Sequence, residues 1–279
     1  MPLLPVSELE KISPLFQNKI GNAFLASVRK LLSVSKLSDI YDELSHLRDA
    51  DFASALLDRL GISRAIGGAD RLQNLPEGPF ITVSNHPYGG IDGIALVSIL
   101  GHLRPGFKVM VNEFLNRIEP LRSSWIVVNP KHNDSIGVTA RNIQGVKEVL
   151  GNLRYGNPVG FFPSGAISDF KLKDRAIQDR EWQEPLVRLI MKAKVPILPI
   201  RFFDRNSVLF YFLGLLNWKI RTLRLPHEII NKKNSAIRIG VGNILTLEEQ
   251  SKYENAEDFG KWLRESVYGM PKPEKFEIF

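Results

Sequence analysis

The sequence contains no cysteine. That excludes a disulfide framework, a thiolate nucleophile and a Cys-based zinc site, and leaves oxygen and nitrogen groups to carry any chemistry. A long hydrophobic run is also missing. The most apolar stretch, Val208–Leu216 in SVLFYFLGLLNWK, contains Gly214 and falls well short of the roughly 20 residues that span a bilayer. It is long enough to lie on a membrane without crossing it. The first residues, MPLLPVSELEK, hold two prolines and two glutamates where a signal peptide needs a basic start and an apolar core, so a cytoplasmic location is expected. There is no Gly-rich dinucleotide turn, no phosphate-binding P-loop, no internal repeat and no low-complexity segment.

What is present fits a soluble globular chain. Of 279 residues, 44% are hydrophobic and 24% charged, with 21 glycines and 17 prolines. The length suits one large domain or two small ones. Net charge is +7, and the segment 201–240, with eight basic and two acidic residues, carries +6 of it.

Apolar spacing of three and four predicts an amphipathic helix over 14–32 (Phe16, Ile20, Phe24, Val28, Leu31) behind Ser13 and Pro14. A second is predicted over 39–60 (Ile40, Leu44, Leu47, Phe52, Leu56, Leu60), stopping at Gly61. From Gly78 the pattern changes. PFITVSN, FKVMVN, SWIVVNP, NPVGFFP, VPILPIRF and AIRIGVG are short β-branched or aromatic runs bounded by Gly, Pro and Asn, and helical patterns lie between them near 91–103, 135–151 and 183–193. Alternating strands and helices predict an α/β fold with a mainly parallel central sheet flanked by helices. A last helix over 246–268 opens with Thr246 and Glu249 as a capping box. The chain divides into N-terminal helices (1–69), an α/β region (70–245) and a C-terminal helix and tail (246–279), expected to form one unit.

In parallel sheets, the loops after the strands line the ligand crevice. Two of them are chemically loaded. In SNHPYGGIDG, after the strand 80–83, a histidine is followed six positions later by an aspartate, with two glycines between. The glycines let the loop fold back so that Asp92 accepts a bond from one nitrogen of His86, leaving the other to take a proton. A base with its orienting group needs no protein nucleophile when the substrate supplies a hydroxyl or amine. The alternative for such a pair is a satisfied structural histidine. The second loop is FPSGAIS, 162–168, after the strand 158–161.

These loops resemble the motifs of the PlsC-type glycerolipid acyltransferases. Their first motif reads Asn-His, four residues, Asp; here five residues separate Asn85-His86 from Asp92, which is similar to the longer form in the hemolysin-like branch and in bacterial aminolipid acyltransferases. Phe162-Pro163-Ser164-Gly165-Ala166-Ile167-Ser168 stands where the family has Phe-Pro-Glu-Gly-Thr-Arg-Ser. Val195-Pro196-Ile197-Leu198-Pro199-Ile200 resembles the family's Val-Pro-x-x-Pro-Val strand, followed by Arg205-Asn206-Ser207. The resemblance covers about residues 70–245.

It implies that His86 is the general base and Asp92 its partner. It implies an acyl thioester on acyl carrier protein or coenzyme A as donor, a lipid as acceptor, and neither metal nor other cofactor. Gly89, Gly90, Ser164 and Gly165 are candidate oxyanion donors and, with Asn85, Ser168, Arg201 and Arg205, candidate substrate contacts. Members acting on phosphate-bearing acceptors are assigned the Glu and Arg of the second motif for acceptor binding. Here Ser164 and Ile167 replace them, removing a bidentate charged contact. That favours a lyso-aminolipid, such as a lyso-glycine or lyso-ornithine lipid, over lysophosphatidic acid, unless Arg175, Arg201 or Arg205 supplies the charge. O- and N-acylation both remain open.

The segment 201–240 sets FYFLGLLNW among Arg and Lys residues, a composition suited to an anionic bilayer surface or an acidic carrier protein. Phe210, Leu213, Arg221, Arg224, Lys232 and Lys233 are the expected contacts; the alternative is a core helix with solvated charges. The aromatics sit in an apolar block, which argues against nucleic acid. A peripheral position on the cytoplasmic face of the inner membrane follows. His46, His102, His132 and His227 have no metal-ligand spacing. Two other classes stay open: a lipid-holding module without turnover, and a hydrolase using Ser164, although Pro163-Ser164-Gly165 lacks the Gly-x-Ser-x-Gly elbow.

Overall fold

A computed structural model describes residues 34–129 and 139–279. The helix expected over 14–32, the first residues of the one expected from 135, and His132 lie outside the described residues. In place of one helix over 39–60 there are two, α1 (Val34–Leu44) and α2 (Asp49–Arg59). Arg48 closes the gap by donating to the carbonyls of Ser45 (2.5 Å) and Leu47 (2.7 Å). Asp49 takes a left-handed φ of 47°, and its carboxylate accepts the hydroxyls of Ser123 and Ser124 at 2.6 Å each. A continuous helix would forgo those bonds.

The six β-branched runs form β2 (Ile81–Ser84), β3 (Lys108–Asn112), β4 (Trp125–Val128), β5 (Val159–Phe161), β8 (Ile197–Phe202) and β9 (Ala236–Val241). Three further pieces were not read from the sequence: β1 (Ser63–Gly67), β10 (Glu277–Ile278), and a hairpin of β6 (Asp169–Lys171) with β7 (Ala176–Gln178). The eight-stranded sheet runs β10-β1-β9-β8-β2-β5-β3-β4. From β8 to β4 all neighbours are parallel; β9 is antiparallel to β8 and parallel to β1, and β10 closes the edge antiparallel to β1. The first and last segments of the described chain therefore join the same sheet as the central region.

Helices cover both faces, as burial of a parallel sheet demands. On one side lie α2 and α3 (Gly90–Leu103), where residues 91–100 of α3 are all buried because that helix is sandwiched between the sheet and α2. Gly101 meets Ala50 so closely that an added Cβ would sit 2.9 Å from the alanine methyl. On the other side, α4 (Ala140–Arg154), α5 (Glu184–Ala193) and α10 (Ala256–Tyr268) pack Val149, Ile190, Phe259 and Leu263 against Ile81, Val83 and Phe161. The expected helix over 246–268 is interrupted: its capping box starts only the one-turn α9 (Leu247–Gln250), and Asn255 caps α10 afresh.

The run after β8 forms α6 (Val208–Leu216), α7 (Trp218–Leu223) and α8 (Leu225–Asn231). The helix α6 has two unlike faces. Phe210 and Tyr211 are buried, whereas Val208 (78% exposed), Leu209, Phe212, Leu215 and Leu216 (66%) face outward, with Trp218 beyond them. The register of β2 with β5 and β8 brings the carboxyl ends of three central strands to one edge, and the two loaded loops meet there.

Candidate active site

The strand β2 ends at Ser84, but its pairing continues through a side chain. Asn85 accepts the N–H of Phe202 on Oδ1 (2.8 Å) and donates from Nδ2 to the Phe202 carbonyl (2.9 Å), imitating a strand residue with its amide. Both ends of that side chain are committed to Phe202, so the Asn85 amide holds the loop to β8. The chain then turns through Pro87, Tyr88 and Gly89. Gly89 has φ 88°, and a Cβ there would lie 2.8 Å from Ile167 Cδ1, so the turn requires glycine. Asp92, in the first turn of α3, reaches back so that Oδ2 accepts the N–H groups of Tyr88 (2.9 Å) and Gly89 (3.0 Å). The same oxygen lies 2.9 Å from His86 Nδ1. The ring is turned enough that Nδ1–H does not point straight along that line. With Nδ1 facing the carboxylate, Nε2 is the nitrogen left to receive a proton. The ring is 18% exposed and stacks on Phe162 at 4.2 Å between centroids.

Burial pushes the Asp92 carboxyl above the usual carboxylate range, against the opposing pull of His86 and the two N–H groups. Its second oxygen, Oδ1, accepts no hydrogen bond. An incompletely satisfied carboxylate in a dry site has most to gain from a positive charge on its neighbour, which is what proton uptake at His86 creates.

The N–H of Gly89 is occupied by Asp92 and that of Gly165 by the Phe162 carbonyl (2.9 Å), so neither is an oxyanion donor. The N–H groups of Gly90, at the start of α3, and of Ser164 have no protein acceptor among the described residues and remain candidates. Ser164 is buried, and its hydroxyl donates to the Ala166 carbonyl (2.8 Å). Ile167 packs on Gly89 and puts an apolar side chain against the turn that follows His86. Ser168 is not exposed to substrate: its N–H donates to the His86 carbonyl (2.9 Å) and its hydroxyl to Asp179 (2.6 Å).

Much of the expected basic surface is spent inside the protein. Arg201 donates to the carbonyls of Tyr268 and Met270, pinning the end of α10 on the sheet face away from α3. Arg221 is buried, bonded to Asp169 and to the Ser168 carbonyl (3.3 Å), and its guanidinium lies over the Phe210 ring. Glu228, buried, receives Arg224 (2.9 Å) and Lys232 (3.8 Å) as well as the N–H and hydroxyl of Ser207. Phe210 is fully buried and Leu213 half-buried. Of the residues expected to contact a membrane, carrier or substrate charge, Arg205 and Lys233 stay exposed.

Four residues of the site were not picked out as site residues from the sequence. Asn206 donates to the carbonyls of Pro87 (3.3 Å) and Tyr88 (3.2 Å), and Tyr211 donates its hydroxyl to Pro87 (3.0 Å), so the segment entering α6 grips the His86 loop. Glu228 caps that segment, and Asp179 accepts the His86 N–H (3.1 Å). The sequence signals for them are slight: Asn206 stands in the Arg205-Asn206-Ser207 stretch without an assigned role, Tyr211 lies within an apolar run, and Asp179 is an acid three residues before Trp182. Among the described residues no group of three His, Asp or Glu is placed to hold a metal. A cavity of about 720 Å³ lies on the far side of Asp179, between the β6–β7 hairpin, α5 and α10. Its walls carry five carboxylates and do not include His86, so it is not the reaction site.

A family model described as acyltransferase matches residues 9–271. The chain belongs to the acyltransferase family. It is 25% identical over 275 residues to the lyso-glycine lipid O-acyltransferase of Bacteroides thetaiotaomicron, covering 95% of this chain and 97% of that one. It is 28% identical over 276 residues to the enzyme of the same description from Phocaeicola vulgatus, with 94% of each covered. Among solved structures, the 1-acyl-sn-glycerophosphate acyltransferase PlsC of Thermotoga maritima matches at TM-score 0.48 and 14% identity, over 89% of this chain and 94% of that one.

In this acyltransferase the raised carboxyl of Asp92 fixes the sign of a pH effect. A value raised by folding contributes stability that is present at low pH and lost as pH rises through the folded-state value. Relative to Asp92→Asn, which has no carboxyl to ionise, the parent therefore loses stability as pH rises. The variant should lose about 10²-fold or more in turnover. Thermal melts at pH 8 should place its midpoint at or above the parent's, with the difference shrinking toward pH 4. A lower midpoint at pH 8 contradicts this description of the site.

Proposed function

We propose that this acyltransferase moves a fatty acyl group from a thioester of acyl carrier protein or coenzyme A to the free hydroxyl of a lyso-aminolipid, working at a membrane surface. The observation that carries the reading is the pairing of His86 with Asp92 beside an apolar Ile167. Nε2 of His86 takes the acceptor proton, the oxygen attacks the thioester carbonyl, and the N–H groups of Gly90 and Ser164 are the candidate donors to the oxyanion. The carbon–sulfur bond then breaks, and His86 returns the proton to the leaving thiolate. A serine acyl-enzyme has no role in this sequence of steps, and the Ser164 hydroxyl is already committed to the Ala166 carbonyl.

The acceptor follows from charge. Arg221 is closed off by Asp169, which its two arginine partners, Arg180 and Arg221, hold below the usual carboxylate range against the opposing effect of burial. Arg201 is bound to the C-terminal carbonyls, while Arg175 and Arg205 are exposed on the hairpin turn and the loop before α6. None of the arginines weighed for that role then takes the place of the motif arginine that Ile167 replaces, which weighs against a phosphomonoester. The names of the two relatives support a lyso-glycine lipid and O-acylation. Turnover of lyso-glycine lipid with palmitoyl-coenzyme A or palmitoyl-acyl carrier protein should exceed that of lysophosphatidic acid by about tenfold or more, the scale of one lost charged contact. His86→Ala should reduce it by about 10²–10⁴-fold. Equal rates on both acceptors would defeat the acceptor assignment, and undiminished turnover by His86→Ala would defeat the base.

The membrane contact rests on the outer face of α6 rather than on Phe210. No helix among the described residues is long and apolar enough to cross a membrane. Val208, Leu209, Phe212, Leu215, Leu216 and Trp218 are exposed on a stretch, 206–218, that carries no charge, and exposed Arg205 stands at its start. Such a face suits shallow insertion below lipid headgroups. Phe212→Ser with Leu216→Ser should weaken sedimentation with anionic liposomes and leave the melt unchanged. Phe210→Ser should lower stability by about 3 kcal/mol or more, because a fully buried ring is lost. Unchanged sedimentation of the double variant would remove α6 from the membrane contact.

A further inference from the structure

Asp179 lies outside both loaded loops, just past β7, and is not a partner of the His86 ring nitrogens in the pair with Asp92. It is 2% exposed. Its carboxylate accepts three bonds, all from neutral donors: the His86 N–H (3.1 Å) and the Ser168 hydroxyl (2.6 Å) on Oδ1, and the Trp182 indole N–H (3.3 Å) on Oδ2. Ser168 also gives its N–H to the His86 carbonyl (2.9 Å). Both backbone polar groups of His86 are therefore held by one Ser168–Asp179 unit. Asp179 is braced from behind, since its own N–H donates to the Tyr268 hydroxyl (2.8 Å) at the end of α10.

The charges around it are sparse. Among the described residues no lysine or arginine forms an ion pair with Asp179; Arg264 lies over the Tyr268 ring and donates to Gln178 instead. Burial opposes ionisation of the Asp179 carboxyl, and the positive charge that acts to relieve it is that of His86. A buried carboxylate held by neutral donors, one of them the backbone N–H of a histidine, is most stabilised when that histidine is charged.

We propose that Asp179 is a second carboxylate of the site, a positioning residue that fixes the backbone of His86 and shares with Asp92 the charge the imidazole carries during transfer. The proposal rests on His86 being the base. The acceptor proton moves to His86 Nε2 while the acceptor oxygen bonds to the thioester carbonyl. As the carbon–sulfur bond breaks, that proton passes to the thiolate, and Asp179 takes none.

The test is steady-state turnover of lyso-glycine lipid with palmitoyl-coenzyme A by Asp179→Asn, Ser168→Ala and His86→Ala, each assayed below its measured melting temperature. Asp179→Asn keeps the shape and an acceptor oxygen but removes the charge. Its kcat should fall about tenfold or more, a part of the 10²–10⁴ that a general base supplies, with KM for both substrates within about twofold of the parent. Ser168→Ala should behave alike. If Asp179 only holds the fold, the melting temperature drops while the folded protein keeps parental kcat, and that result overturns the proposal. Should Asp179→Asn fail to fold, parental kcat in Ser168→Ala overturns it equally. A silent His86→Ala beside a fully active Asp179→Asn defeats this proposal alone. An active His86→Ala defeats the base reading, and this proposal with it.

Discussion

The site depends on a five-residue loop, 85–89, staying closed between the end of β2 and the start of α3. Nearly every backbone polar group in it is held: Asn85 clamps Phe202, Ser168 takes the His86 carbonyl, Asn206 and Tyr211 take the Pro87 carbonyl, and Asp92 collects the N–H groups of Tyr88 and Gly89. A loop so satisfied has little freedom to lose when substrate arrives, which is the preorganisation a general base requires. The glycine at 89 makes the closure possible, and the capping carboxylate that secures it is the one that faces His86.

The segment after β8 serves that closure from outside. Inward, α6 sends Tyr211 to the loop and buries Phe210 beneath Arg221; outward, it exposes aliphatic side chains and one phenylalanine. Gly214 allows the arginine to lie across the helix, since a Cβ there would be 2.7 Å from Arg221 Cδ. The basic residues that make the segment look like a charged surface act mostly in pairs. Glu228 stays below the usual carboxylate range although burial works to raise it, because Ser207, Lys232 and Arg224 surround it. Burial in turn lowers Lys232, with Glu228 and Asp204 opposing. These are structural ion pairs, and removing one partner would strand a buried charge.

The strands and the pairing of His86 with Asp92 were legible for physical reasons. β-branched runs bounded by Gly, Pro and Asn have few alternatives to a buried parallel strand, and a His-x5-Asp spacing across two glycines permits one local geometry. What was not legible depended on contacts between distant segments. The β6–β7 hairpin is too short and polar to show a period, β10 is two residues long, and the break between α1 and α2 rests on bonds to Ser123 and Ser124 far along the chain. Charge told least: a count of basic residues cannot reveal that Arg221 meets Asp169 or that Arg201 ends on carbonyls of α10. Asn85 and Ser168 sit in the motifs, yet their side chains tie those motifs to β8 and to Asp179.

The central claim is direct transfer from thioester to acceptor, with His86 as base and no acylated protein between. Intact-mass spectrometry of the purified protein incubated with palmitoyl-acyl carrier protein alone tests it, using a preparation that turns over once lyso-glycine lipid is added. The account predicts that the protein mass stays unchanged before the acceptor arrives. An added palmitoyl mass that disappears when the acceptor is supplied would show a covalent intermediate and contradict the account.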